Sequence, residues 1–213
     1  MLGQSISRNS LLLALFAVAT TLLIAATYLG TRDLIADQIR KAEERALLEI
    51  VSRERHDNAM LDDTVPVGPD AEGLGLEQDR QIYIARMGDE PVAAIIPVVA
   101  PDGYTGTIEM IVGVNRDGTV AGVRVLVHRE TPGLGDKVDI KKSDWILDFN
   151  GRSLDNPPLE GWAVKKDGGV FDQFTGATIT PRAVVAATAR ALQFAGANRA
   201  LLFGDSETVA GGN

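Results

Sequence analysis

The chain has 213 residues, which is enough for one ordinary domain together with an anchor. Its formal net charge of −8 argues against a nucleic-acid partner, because such a partner requires a basic face to neutralise its phosphates. It has no cysteine, which excludes disulfides, iron–sulfur ligation and cysteine-based zinc sites, and its two histidines, His56 and His128, are far apart in sequence, which argues against a histidine-rich metal cluster.

The first predicted element is a transmembrane helix over residues 10–30, after a short tail of residues 1–9. No charged residue lies between Ser10 and Gly30. At a rise of 1.5 Å per residue this segment spans about 31 Å, which is enough to cross the hydrocarbon core of a membrane. A cleaved signal peptide is the alternative, but the apolar run is longer than a usual signal-peptide core and no clear small-x-small cleavage site follows it.

Charge does not fix the orientation of this helix. Arg8 on one side is outnumbered by Arg32, Arg40, Lys41 and Arg45 on the other, and the positive-inside rule alone would place the C-terminal part inside. A large following domain can nevertheless cross regardless of nearby charge. The residues by themselves leave the orientation open.

Residues 31–78 are predicted as a juxtamembrane helix and a linker. From Asp33 to about Asn58, apolar residues recur near helical spacing among charged ones, so we expect the membrane helix to continue into the aqueous phase. Its apolar stripe would pack on its own domain or, alternatively, dock a partner subunit. From about Asp62 to Gln78 the chain is rich in Gly, Asp, Pro and Glu, which is typical of a loop or linker.

Four segments with alternating, β-branched patterns predict an antiparallel sheet. These segments are Gln81–Met87, Val92–Val99, Gly106–Asn115 and Val120–His128. The turn Arg116-Asp117-Gly118-Thr119 predicts a hairpin between the last two. Two alternating sets of hairpin residues are expected to face the core. They are Ile108, Met110, Val112 and Val114 on one strand and Val123, Val125 and Val127 on the other.

The rest of the chain predicts helices and short strands. A short helix is expected over Lys137–Phe149, and Gly161–Phe171 is expected to add a strand or two. The buried side of the short helix would consist of Trp145, Ile146 and Phe149. A longer helix with an apolar stripe follows over Pro181–Ala197. The predicted fold class is therefore α+β, with a single N-terminal transmembrane helix before a soluble domain whose antiparallel sheet is flanked by helices.

The loop before the last helix presents a hydroxyl at a helix start. Thr175-Gly176-Ala177-Thr178 contains a glycine that permits positive φ and close backbone approach. Thr180 followed by Pro181 predicts an N-cap with proline at the first helical position, so a helix starts just after Thr178. Its unpaired N–H groups and positive dipole end suit an anion such as a phosphate. The alternative is that Thr178 and Thr180 only close a turn and cap the helix.

Several motifs together resemble a known family. Asp172-x-x-Thr175-Gly176-Ala177-Thr178 is similar to the D-x-x-[ST]-G-A-T signature at which a flavin transferase joins FMN through its phosphate to the last threonine. A second family motif is the stretch Glu130 to Gly135, and Gly103 to Gly106 and Ser143 to Ile146 match as well. Over nearly its whole length the chain resembles the G subunits of Rnf (Rsx) ion-translocating electron transport complexes, which are related to the C subunits of the sodium-pumping NADH:quinone reductases.

The resemblance implies a flavoprotein with covalent FMN on Thr178, and hence a phosphoprotein. Residues 79–207 would form the FMN-binding domain and residues 208–213 a tail. The chain would be a single-pass protein of the bacterial inner (cytoplasmic) membrane with this domain on the periplasmic side. It would relay electrons within a translocase that couples electron transfer to ion transport. Its partners would be the other subunits and a flavin transferase using FAD, with no substrate site of its own, no metal and no nucleic acid.

The same resemblance suggests which residues surround the flavin. Thr175, Gly176 and Ala177 would shape the loop, and Asp172 would orient the transferase step or only make a turn hydrogen bond. A group of residues from the second motif would line the flavin: Glu130, Thr131, Gly133 and Leu134. A further set of residues is expected to have ordinary core or surface roles. The weaker alternative is that they contact the flavin, by stacking on its ring, donating a proton or screening its phosphate charge. These residues are Tyr104, His128, Trp145, Trp162, Lys165, Lys166 and Arg182.

Neither a nicotinamide-binding Rossmann unit nor an ATPase is indicated, because G-x-G-x-x-G after a strand and G-x-x-x-x-G-K-[ST] are both missing. A covalent tether would hold the flavin with little binding surface, since the effective concentration of a linked group replaces affinity. Two other functions remain open at this point. One is a structural or assembly subunit that is never modified, and the other is the equivalent subunit of a sodium-pumping NADH:quinone reductase.

Overall fold

A computed structural model describes residues 2–204, with side chains from Arg8 onward. The predicted tail 208–213 lies outside the described residues. The chain divides into two compact units, one up to Arg45 and the other from Ala46 onward. The second unit contains the sheet and the candidate site.

The N-terminal helix, α1, is continuous over Leu2–Leu48. It therefore includes residues 2–9, which were predicted as a tail, and it ends well before Asn58. Its part Arg8–Leu48 is long and apolar enough to cross a membrane: the most apolar window has a mean hydropathy of 2.2 and is not buried in the protein. This agrees with the predicted membrane helix.

The second unit is built on a five-stranded sheet in which neighbouring strands are antiparallel and follow one another in sequence order. The strands are β1 (Thr64–Val67), β2 (Arg80–Met87), β3 (Glu90–Ala100), β4 (Ile108–Asn115) and β5 (Val120–Val127). Strands β2 to β5 confirm the four predicted strands and the antiparallel sheet.

Strand β1 lies in the segment 62–78, for which the sequence predicts a loop or linker. It pairs with β2 at the edge of the sheet, and Leu74 and Leu76 of the same segment are buried in the core. The strand is short and contains Pro66, which cannot donate to a ladder and is tolerated only at an edge. Because of these two properties, the residue pattern does not predict the strand.

The predicted β4–β5 hairpin is confirmed, with Gly118 at φ 87° in its turn. Val112 lies opposite Val123, and Met110 lies opposite Val125. The prediction that Val127 faces the core is wrong. A register shift between Glu109 and Met110 places Val127 opposite Glu109 at the end of the strand, where it is exposed.

Both faces of the sheet are covered. One face carries the larger core, which includes α2 (Ile179–Ala197) and α3 (Arg199–Phe203). The last residues of α1, from Ala46 onward, and the residues that follow them cover the other face, where Leu47 and Ile50 are buried. Gly113 of β4, which faces Gly122 of β5, makes room for Ile50 there, since a Cβ on Gly113 would overlap the Ile50 Cγ2 atom. The end of the predicted apolar stripe thus packs on the domain.

The segment Lys137–Phe149 forms two short 3-10 helices, Gly135–Val138 and Asp144–Phe149, instead of the one predicted helix. The predicted buried side is confirmed, because Trp145, Ile146 and Phe149 are all in the core. Ser143 separates the two turns: its extended backbone interrupts the helix and its hydroxyl oxygen accepts the Trp145 N–H at 3.2 Å.

The strands predicted within Gly161–Phe171 are reduced to a single parallel bridge between Val164 and Phe171. A 3-10 turn, Lys165–Asp167, lies between the two bridging residues and ends at Gly168 with φ 90°. At Gly169 a Cβ would overlap the Ala163 backbone. The chain therefore reverses too tightly for a strand.

Candidate functional site

Thr178 lies directly before α2, and its side chain makes no hydrogen bond to the described residues. Its backbone is helical (φ −88°, ψ −28°), and its carbonyl accepts the Arg182 N–H at 3.3 Å. Within residues 2–204 its hydroxyl neither caps the helix nor has another hydrogen-bond partner. The helix starts just after Thr178, as predicted, but Thr180 is not the N-cap, because it already belongs to the first turn.

The first turn of α2 places free amides beside Thr178. The first N–H groups of a helix have no intrahelical partner, and Pro181 has no N–H to satisfy. The amides of Ile179 and Thr180 remain, at the positive end of a helix whose bounds are Ile179–Ala197. This end of the helix can hold a phosphate group esterified to the neighbouring hydroxyl.

A tight turn with an aromatic anchor shapes the loop before Thr178. The Ala177 N–H donates to the Phe174 carbonyl at 3.1 Å, and Gly176 adopts φ 81°. Phe174 is 7% exposed and packs edge-on against Trp145, with 5.0 Å between ring centroids. The aromatic core therefore holds the base of the loop, and Thr175 and Gly176 lie exposed at its tip.

The loop from Thr131 to Gly135 is rigid through its own hydrogen bonds. The Thr131 carbonyl accepts the N–H groups of Leu134 and Gly135, each at 3.1 Å. The Asp136 carboxylate accepts the Gly133 N–H at 2.7 Å, and Gly133 has φ 79°. The backbone of this loop is thus fixed before any ligand is present.

The two loops meet at Gly176 and Leu134. A Cβ on Gly176 would lie 3.7 Å from the Leu134 Cδ2 atom, which is ordinary van der Waals contact. Leu134 remains 41% exposed, although it is a large apolar side chain. An accessible apolar surface therefore lies beside the loop that carries Thr178.

Glu130 lies inside the protein and is only 4% exposed. One of its carboxylate oxygens accepts the N–H and the hydroxyl of Thr105, each at 3.1 Å, and the other accepts the hydroxyl of Thr180. Its own N–H donates to the Nδ1 atom of His128 at 3.1 Å. The motif Gly103–Gly106, the motif Glu130–Gly135 and the start of α2 are joined at this side chain.

Two ion pairs involve the segment that precedes Thr178. Lys165 pairs with Asp172 at 2.7 Å, and Arg182 pairs with Asp167, its Nη2 atom lying 2.6 Å from Oδ1. The hydrogen bond from Arg182 lowers the pKa of Asp167 and raises the pKa of Arg182. The Asp172 side chain is thus engaged with Lys165, and its carbonyl accepts the indole N–H of Trp145 at 2.8 Å.

The aromatic candidates for stacking divide into two kinds. Trp145 and Trp162 are buried and contact Phe149, so they are part of the core. Tyr104 is 66% exposed in the turn that also contains Thr105.

Sequence reasoning missed the contact of Thr105 with Glu130 and the inward hydrogen bond of Thr180. The nearest signal was that Thr105 lies in a family motif and that Thr180 precedes a proline.

Two clefts in the described part of the chain lie away from Thr178. A cleft of about 560 Å³ is lined by Arg190, Gly73 and their neighbours, and one of about 210 Å³ by Leu192, Phe203 and theirs. Neither includes Thr178. Within residues 2–204 no group of three or more His, Asp or Glu side chains is arranged to hold a metal ion.

Family models match two parts of the chain. Residues 1–50 match the RnfG N-terminal region, and residues 103–193 match the FMN-binding domain. The second match covers both motif loops, Thr178 and most of α2. The fold and the site therefore define a class of protein in which an apolar N-terminal helix precedes an FMN-binding domain.

Full-length relatives narrow this class. All three of the following are named as the G subunit of an ion-translocating oxidoreductase complex. The protein from Pseudoalteromonas atlantica is 50% identical over 95% of this chain and 94% of its own length. The proteins from Pseudomonas aeruginosa and Vibrio atlanticus are 48% and 47% identical, over 97% and 93% of this chain and 96% and 94% of their own lengths. The chain belongs to this family, the G subunits of ion-translocating oxidoreductase complexes.

A solved structure with partial similarity is the crystal structure of Shewanella oneidensis NqrC. It is 24% identical, with a TM-score of 0.43, over 64% of this chain and 65% of that one. The full-length relatives confirm the predicted family and decide between the two related families in favour of the Rnf-type G subunits.

Proposed function

We propose that the chain carries FMN covalently on Thr178 and relays electrons within its ion-translocating oxidoreductase complex. The observation that carries this proposal is the state of Thr178. Its hydroxyl has no partner in the described part of the chain, at the N-terminal end of α2 and inside the matched FMN-binding domain.

The residues around Thr178 fit a flavin phosphate ester. The free amides of Ile179 and Thr180 and the dipole of α2 favour a negatively charged phosphodiester. Leu134, across Gly176, offers an apolar side chain to a flat ring. Arg182 and Lys165 reduce the negative charge in the surrounding segment, although each already has an acidic partner.

Attachment would use FAD as the donor. The Thr178 oxygen attacks the phosphorus on the FMN side of the pyrophosphate, an O–P bond forms to Thr178, and the bond to the AMP phosphate breaks. The products are the threonyl phosphodiester, AMP and the hydroxyl proton, which a base must accept. A threonine hydroxyl is a weak nucleophile at neutral pH, so a partner flavin transferase with a bound metal would supply the base and the activation.

The attached group would supply one- or two-electron redox chemistry, and the chain would position it and limit its side reactions. The rigid Thr131–Gly135 loop, the exposed Leu134 and the aromatic anchor under Phe174 would hold the ring at the surface of the domain. Surface placement suits exchange of electrons with other subunits of the complex. No independent substrate site is part of this proposal.

We also propose that α1 anchors the chain in the bacterial inner membrane with the domain on the periplasmic side. The length and apolar character of Arg8–Leu48 support the anchor. Family membership supports this orientation against the count of positive charges near the helix. A cysteine-free chain also suits an oxidising compartment.

The test is in-gel fluorescence under ultraviolet light after denaturing electrophoresis of the full chain co-expressed with a flavin transferase. The wild-type band should fluoresce, and the band should be dark for Thr178→Ala. Thr175→Ala is the matched comparison, because Thr175 belongs to the same turn and is exposed; its band should stay bright if Thr175 only shapes the loop. Unchanged fluorescence in Thr178→Ala would refute the site. A dark wild-type band would favour the unmodified assembly subunit.

A further inference from the structure

We propose that Glu130 is a positioning residue that sets the Thr178 hydroxyl for flavin attachment by acting through Thr180. The inference rests on the proposed attachment at Thr178. It assigns Glu130 a place beneath the site, where the carboxylate touches neither the flavin nor the reacting phosphorus. It also replaces the sequence-based expectation that Glu130 lines the flavin.

The hydrogen bonds of Glu130 give the first reason. A buried carboxylate is costly unless it is hydrogen-bonded or paired with a cation. The partners of Glu130 are all neutral: the N–H and hydroxyl of Thr105 on one oxygen and the hydroxyl of Thr180 on the other. Each oxygen is therefore committed to a different part of the chain, and the side chain holds those parts together.

The glycines around the carboxylate give the second reason. A Cβ on Gly135 would lie 2.7 Å from the Thr180 hydroxyl oxygen and 2.8 Å from a Glu130 carboxylate oxygen. A Cβ on Gly103 would lie 2.9 Å from the other carboxylate oxygen. The carboxylate thus occupies space that only glycine leaves open at these positions. The glycines and the carboxylate therefore fit one another closely.

Helix geometry connects this contact to Thr178. Thr178 already has helical dihedral angles, and Thr180 follows it by two residues. Residues two apart on a helix point about 200° apart around the axis. When Glu130 holds Thr180 inward, the first turn of α2 is fixed in rotation and the Thr178 side chain is directed to the opposite, accessible side.

The contact matters because burial of Pro181, Ala183 and Val184 holds the helix in the core, whereas the Thr180 hydrogen bond adds a directional contact at its very start. Its leading amides are unpaired, and helix ends fray readily. Loss of the Thr180 hydrogen bond would let the turn rotate or fray, and Thr178 would spend less time in the reactive position. A misplacement of about 1 Å can cost a reaction about 100-fold.

The test measures the initial rate of flavin attachment to the purified full chain in detergent, with FAD, Mg²⁺ and a purified flavin transferase. Thr180→Val removes the hydroxyl at nearly constant volume, and Thr180→Ser keeps it. We expect Thr180→Val to react about tenfold more slowly or worse, and Thr180→Ser to stay within about threefold of the wild type. The maximal rate should fall, rather than the affinity of the transferase for the chain.

A second pair of variants tests Glu130 itself. Glu130→Gln keeps an acceptor for Thr105, and its amide can donate to the Thr180 oxygen, so we expect it to react within about threefold of the wild-type rate. Glu130→Leu should react as slowly as Thr180→Val. Thermal denaturation of every variant shows whether it is folded.

Several results would overturn the positioning role. One is a wild-type rate for Thr180→Val, and another is an equal loss of rate in Thr180→Val and Thr180→Ser. If Glu130→Leu does not fold, the Thr180 pair decides alone. Failure of the parent proposal looks different, since the wild type would then take up no label or Thr178→Ala would be labelled like the wild type.

Discussion

Two turns of this chain use the same residue types in opposite ways. The hairpin turn Asn115–Thr119 and the loop Phe174–Thr178 each contain a glycine with positive φ and a threonine. In the hairpin, the Thr119 hydroxyl donates to Asp117 at 2.6 Å and accepts the Asn115 amide at 2.9 Å. In the loop, the Thr178 hydroxyl has no partner among the described residues.

The difference lies in what holds each turn. The hairpin is held by its own polar groups, which leaves none of them for a ligand. The loop is held from below by Phe174 in the aromatic core, so its hydroxyl is not needed for stability. A threonine that the fold does not use is available for chemistry, and the following predictions probe this contrast.

The largest effect should come from removing the aromatic anchor of the loop. Phe174→Ala deletes a buried ring that packs on Trp145, so it should destabilise the full chain by about 3–5 kcal/mol. Ile179→Ala is the control, because Ile179 flanks the same loop but is 43% exposed, and it should cost less than about 1 kcal/mol. Thermal denaturation followed by near-ultraviolet circular dichroism measures both. Equal losses would show that the loop is not held by its buried ring.

The two turn glycines should separate stability from attachment. Gly118 and Gly176 have φ of 87° and 81°, so an alanine at either position should cost about 1–2 kcal/mol. Only Gly176→Ala adds a methyl group against Leu134, and only that variant should also slow flavin attachment. Denaturation and in-gel fluorescence on both variants check this. Slow attachment in Gly118→Ala would contradict the contrast between the turns.

Substitutions of Thr119 and Thr178 should have opposite effects: one should lower stability and the other should abolish flavin attachment. Thr119→Val removes a hydroxyl with two partners and should cost about 1 kcal/mol, with flavin attachment unchanged. Thr178→Val should change stability by less than about 0.5 kcal/mol and abolish attachment. The free energy of unfolding of the full chain in detergent distinguishes them. A large destabilisation by Thr178→Val would mean that the fold does use its hydroxyl.

Local patterns predicted most of the fold. Alternating β-branched residues gave β2 to β5, and the Asp117-Gly118 turn gave the hairpin. The misses occurred where a local pattern competes with tertiary packing. Pro66 weakens the signal of β1, and the bulge that exposes Val127 depends on how two strands pair, which the pattern of one strand does not contain.

The candidate site was predicted in part for the same reason. Thr178 belongs to a contiguous motif next to a helix start, so the sequence alone is enough to propose it. The role of Glu130 depends on Thr180, which lies 50 residues further along the chain, and on Thr105, which lies 25 residues before it. Only the folded chain brings these residues together, so the motif contains Glu130 but does not predict its contacts with Thr105 and Thr180.

The smallest effect concerns acid stability, where each region has its own carboxylate. Hydrogen bonds from Thr119 hold the pKa of Asp117 below its usual range, and the hydrogen bond from Arg182 does the same for Asp167. A lowered pKa stabilises the fold above the usual aspartate pKa of about 4, and this contribution is lost as the pH falls through the folded-state pKa.

A crossed pair of variants should therefore separate the two carboxylates. Thr119→Val should raise the pKa of Asp117 toward its usual range and leave that of Asp167 unchanged, whereas Arg182→Gln should do the opposite. Carboxyl NMR titrations of both variants measure this. The stability advantage of the wild type over Thr119→Val should be full at neutral pH and should shrink below about pH 4. If Arg182→Gln shifted Asp117 as well, the two regions would be electrostatically coupled, and the hairpin could not serve as an independent reference for the loop.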